Sequence, residues 1–162
     1  MKLRTLAGLV LCLAPACGSS DPRTLTGAGS NALNAGDYSA AVQNFEKAVA
    51  ALDSSDPEWK RAKMGLFRAR AHLDPSRAKD EFLEFARTNP TNVTDADFTL
   101  IASHLGETEG PAALQAAIEV LEAGKVTYKD PRVFDALAKD LIKRAESSGN
   151  SEALKSMKGL GY

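Results

Sequence analysis

Apolar residues recur along this chain with two nested periods, a short one within segments and a long one between them. Within segments they follow the helical repeat of about 3.6 residues. Tyr38, Ala41, Val42, Phe45, Ala48, Val49 and Leu52 fall on one stripe, and Val133, Phe134, Leu137, Leu141, Ile142 and Ala145 on another. No stretch sustains the two-residue alternation of a half-buried strand. Over the longer range, an alanine is followed four residues on by a large apolar residue at Ala41/Phe45, Ala78/Phe82, Ala117/Leu121 and Ala153/Met157. These alanines are 37, 39 and 36 residues apart. Repetition on that scale marks stacked supersecondary units, none of which can bury its apolar face alone.

Polar punctuation divides the pattern into helices. Asp21-Pro22, Asp56-Pro57, Asp74-Pro75, Gly110-Pro111 and Asp130-Pro131 each precede a periodic segment. Asp caps the free N–H groups, and Pro occupies the first turn, where its missing donor costs nothing. Thr94 and Asp97 stand in capping-box spacing behind Asn89-Pro90. Gly36, Gly106, Gly124, Gly149 and Gly159 are read as helix stops. The chain is therefore expected to be all-α, with helices over 23–35, 38–53, 57–72, 76–88, 95–105, 111–123, 131–147 and 151–158, forming about four antiparallel pairs.

The residues inside the first pair add a resemblance. Leu25, Ala28, Gly29 and Ala32, then Gly36-Asp37-Tyr38, Ala41, Phe45 and Ala48, resemble a tetratricopeptide repeat. The second unit keeps Gly65-Leu66, Ala69, Ala78, Phe82 and Pro90, and the third Ala117 and Leu121. The third has His104-Leu105 where the small pair belongs, and the fourth is truncated after Glu152-Ala153-Leu154. The resemblance implies a right-handed superhelical solenoid with a groove lined by first-helix residues. A rigid groove of that kind binds proteins or peptides rather than turning over a substrate.

The N-terminal segment carries a different message. Met1-Lys2-Leu3-Arg4 is followed by an apolar run from Leu6 to Leu13 and by Ala14-Pro15-Ala16-Cys17. Two cations, a short apolar core and small residues before a break make an export signal. The run falls far short of the roughly 20 residues that span a bilayer. Gly18-Ser19-Ser20-Asp21 then follows Cys17 as a polar tether. The arrangement resembles a bacterial lipoprotein signal, with Ala14 where leucine is usual, and implies a membrane anchor through lipid on Cys17. Gly18 resembles the sorting residue of lipoproteins sent to the outer membrane. The same cut without lipidation leaves a secreted protein with a free thiol. The expected organisation is a signal over 1–16, a tether over 17–22 and a repeat domain over 23–162.

Both cysteines, Cys12 and Cys17, lie in or at the edge of the signal, so the mature body has no disulfide or thiolate site. Without Lys2 and Arg4 the mature chain carries 18 basic against 21 acidic residues, a balance that argues against bulk attraction to nucleic acid. The only histidines, His72 and His104, fall on different helices. No phosphate loop, nucleophile elbow or metal-ligand spacing accompanies them, so neither enzyme chemistry nor a cofactor or metal is expected.

The third helix carries the candidate binding stripe. Lys60, Lys63, Phe67 and Arg70 recur at three- and four-residue spacing, opposite Trp59, Ala62, Leu66 and Ala69. By analogy with the repeat family this stripe faces the groove, together with Arg23, Thr26, Ser30 and Leu33 of the first helix. A phenylalanine among cations would grip an acidic peptide or a terminal carboxylate; the plainer alternative packs Phe67 against a neighbouring repeat. Two roles stay open at this point. One is an envelope adaptor serving outer-membrane assembly, secretion or pilus-type machinery. The other is a structural subunit that self-associates through the C-terminal helices, with Leu154, Met157 and Leu160 exposed at an uncapped end.

Overall fold

The computed structural model describes residues 21–128 and 130–162, so the expected signal and Cys17 lie outside the described residues. Among the described residues there are eight α-helices and no strand. They are α1 (Pro22–Asn34), α2 (Tyr38–Ala51), α3 (Pro57–Ala71), α4 (Pro75–Thr88), α5 (Asp95–Glu107), α6 (Pro111–Thr127), α7 (Asp135–Ser147) and α8 (Ser151–Gly159). A 3-10 turn, Pro131–Phe134, leads into α7. Asp21 and Pro22, expected in the tether, belong to the start of α1.

The caps form as the sequence requires. Asp21, Asp56, Asp74 and Asp130 each accept a backbone N–H from the first turn behind them. Thr94 and Asp97 complete a reciprocal capping box. Gly36 and Gly149 take positive φ (77° and 66°) past helix ends. Gly106 and Gly124 do not end their helices. A Cβ on Gly124 would lie 2.8 Å from the Phe134 ring, and one on Gly106 would lie 2.7 Å from Leu141. These glycines let α7 and its leading turn close on α5 and α6, so α6 runs on to Thr127.

Helices pack on their hairpin partners and on their counterparts in the next pair. The first helices α1, α3, α5 and α7 form one row, and α4, α6 and α8 another. Only α2 stands apart from that second row, since it and α4 barely touch. The four Ala/large pairs supply the glue: all eight residues are 1% exposed or less. Fully burying each of the larger members contributes about 1.5–3 kcal/mol.

The core falls into two clusters that meet at α3. Ala62, Leu66 and Ala69 pack with Leu33 and Phe45 of the first hairpin. Met64, Phe67 and Ala71 join a larger cluster that runs through to Met157. Helix α3 is therefore buried from two sides.

Candidate functional site

That double burial redistributes the expected stripe. Phe67 is 1% exposed, with its ring centroid 5.8 Å from Phe82 and 5.6 Å from Phe85, so it holds the core together and cannot grip a ligand. Leu33 and Thr26 are buried as well, at 8% and 2% exposure, facing α2 and α3 or the preceding helical turn rather than a groove. Ser30 is half-buried and spends its hydroxyl on the Thr26 carbonyl at 3.0 Å. Arg23 is exposed at the start of α1. The three cations of the stripe point to two different seams.

The first seam joins α3 to α2 and α4. Arg70 is only 8% exposed, and its guanidinium donates to the carboxylates of both Glu46 (α2) and Glu81 (α4). Glu81 also accepts from Arg77 at 2.8 Å. A planar guanidinium suits this double clamp because its donors are fixed in a fork. Above it, where α2 and α4 part, lies an open slot of about 760 Å³. Trp59, Lys63 and Leu66 of α3 line it together with Val49 of α2 and Phe85 of α4. The acidic residues at the rim are largely engaged. Besides the Arg70 partners, Glu84 is bound by Arg87 at 2.9 and 2.7 Å, which holds its carboxyl below the ordinary value.

Lys63 differs from its neighbours. Its Nζ lies 5.9 Å from the Trp59 ring centroid and 5.6 Å from that of Phe67, and no carboxylate among the described residues pairs with it. Of the slot's two cations, Arg70 is held by its two carboxylates, which leaves Lys63 beside the Trp59 ring.

The second seam joins α3 to α5. Lys60 Nζ meets Asp97 at 2.8 Å, and Arg68 Nε donates to His104 Nε2 at 2.8 Å. His72 stacks on Tyr38 at 4.0 Å between centroids and lies edge-on to His104 at 5.8 Å. Thr108 Oγ1 donates to the carbonyls of Ala71 or His104 and sits 3.2 Å from His72 Nδ1. Burial lowers the pKa of both imidazoles, and Arg68 lowers that of His104 further.

At the far end, Met157 is 1% exposed and Leu154 and Leu160 are half-buried against the larger cluster. Lys125 Nζ donates to the Leu160 carbonyl at 2.7 Å and lies 3.9 Å from the Tyr162 ring centroid. The apolar end expected from the sequence is folded inward instead. Exposed apolar side chains sit elsewhere: Leu100 and Val133, 37% and 41% exposed, border a shallow depression beside α5.

Sequence reading missed Trp59 as part of the open surface and Glu46 and Glu81 as partners of Arg70. The Lys63–Trp59 spacing of four residues was the available signal; the pairing of Arg70 with carboxylates 24 and 11 residues away left none. No helix among the described residues is long and apolar enough to cross a membrane. Comparison of the chain with protein-family models, curated proteins and solved structures returns no match.

Proposed function

We propose that the protein is a tetratricopeptide-like adaptor of the bacterial cell envelope, held to a membrane by lipid on Cys17 and built as a right-handed solenoid. Its work is to bind a protein partner. The observation that carries this reading is the slot between α2 and α4, where Lys63 stands over Trp59 without a carboxylate of its own. A peptide segment with an apolar side chain beside an acidic one, or beside a terminal carboxylate, fits that chemistry: the apolar group covers Trp59 and Leu66, and the anion reaches Lys63. Stacked helices supply the surface already ordered, so little conformational entropy is lost on binding. A lipid tether raises the effective concentration of that surface beside membrane partners, and the outer membrane, facing the periplasm, is the proposed site.

Photo-crosslinking in cells of the source organism tests the reading. A reactive residue at position 63 is expected to trap a discrete partner, whereas one at Val126, 84% exposed on α6, is not. Identical adducts from both positions, or none from 63, would reject the slot. For the anchor, Cys17→Ala is expected to move the protein from the membrane to the soluble fraction; unchanged fractionation would refute lipidation.

A further inference from the structure

The second seam is built around a hydrogen bond that exists in only one protonation state. Arg68 always carries its protons, so its Nε can only donate, and His104 Nε2 at 2.8 Å must accept. His104 is therefore neutral, with its proton on Nδ1. That nitrogen is buried without a hydrogen-bond partner, and the nearest carboxylate oxygen, Glu107 Oε2, is 3.6 Å away. A proton added at Nε2 would abolish the bond and set a second positive charge against the guanidinium.

We propose that the Arg68–His104–His72 cluster is a proton-sensitive joint between the second and third hairpins, tight at neutral pH and loosened in mildly acidic surroundings. The groups facing the rings come from each element that meets there. Helix α3 contributes Arg68 and His72, while α5 contributes His104 and Glu107. Helix α2 stacks Tyr38 on His72. From α7, Arg144 reaches the last turn of α5 at the Gly106 carbonyl (2.9 Å) but is paired with Asp140 at 2.7 Å. Arg68 and the opposite imidazole disfavour protonation of His104, and Glu107 favours it.

Both histidines have folded pKa values below 6.5. As pH falls through about 6.5 the unfolded chain takes up protons that the folded seam refuses, so stability drops toward the lowered folded values. Below those values the rings charge in the folded protein and the Arg68 bond is gone. The first seam holds no imidazole: there Arg70 meets the carboxylates of Glu46 and Glu81.

The test pairs imidazole NMR titration with hydrogen exchange on the full-length chain at pH 7.5 and 5.0, corrected for intrinsic exchange rates. We expect His104 to titrate below the ordinary histidine value. Amides of the C-terminal halves of α3 and α5 are expected to exchange severalfold faster at pH 5.0, while α1 keeps its protection. His104→Gln retains an acceptor for Arg68 but cannot titrate, and is expected to reduce the pH-dependent loss to the part carried by His72. Arg68→Gln serves as the second variant and is expected to raise the His104 titration midpoint. An ordinary midpoint for His104, protection that does not change with pH, a loss undiminished in His104→Gln, or a midpoint untouched by Arg68→Gln would each overturn the proposal.

Discussion

The two seams that flank α3 are built from opposite chemistry. Toward α2 and α4, a permanently charged guanidinium sits between two carboxylates; toward α5, a guanidinium meets a neutral imidazole. The cores beneath them differ as well. The first hairpin rests on a small cluster around Phe45, the rest of the chain on a continuous one from Met64 to Met157. Because only α3 belongs to both clusters, the two halves of the molecule can be weakened separately. That is the behaviour expected of stacked units whose stability is roughly a sum of nearest-neighbour terms.

The largest expected effect breaks this contrast at its base. Phe45→Ala removes the ring that fills the small cluster and is expected to cost about 3–5 kcal/mol. The loss should be confined to α1 and α2, so hydrogen exchange there should accelerate while α5 and α6 keep their protection. Uniform acceleration along the chain would show that the two clusters act as one. A smaller change addresses the first seam alone. Arg70→Ala strands the Glu46 carboxylate and leaves Glu81 to Arg77, and the two side chains, 48% and 31% exposed, can be rehydrated. The expected cost is therefore about 1–3 kcal/mol, below that of a fully buried pair. Denaturant melts at pH 7.5 check this cost. Smallest is Thr94→Ala at the second seam. It removes the N-cap of α5 and frees Asp97, which also holds Lys60, for an expected loss of about 1 kcal/mol by thermal melting.

The repeat period and the helix starts were legible because each rests on a local rule. Alanine before a large apolar residue marks close helix contact, and Asp before Pro marks a cap; both need only neighbours in sequence. Phe67 was misplaced for a physical reason. A helical wheel divides a helix into an inside and an outside, but α3 has cores on two sides, and the wheel cannot tell the second core from a groove. Gly124 and Gly106 misled in the same way. A glycine near a helix end reads as a stop unless the side chain that will press against it is known, and Phe134 and Leu141 lie 10 and 35 residues further on. The polar seams were the least visible part, since their pairs join helices that share no sequence register.

The Phe45 ring shows what such packing means for the history of the chain. It lies against two glycines on successive first helices: a Cβ at Gly29 would come within 2.8 Å of the ring, and one at Gly65 would run into it as well. In evolutionary terms the three positions form a single character. A lineage that keeps the phenylalanine is barred from alanine at 29 and 65, while one that first trades it for a smaller residue is free to change both, so substitutions here should arrive in a fixed order.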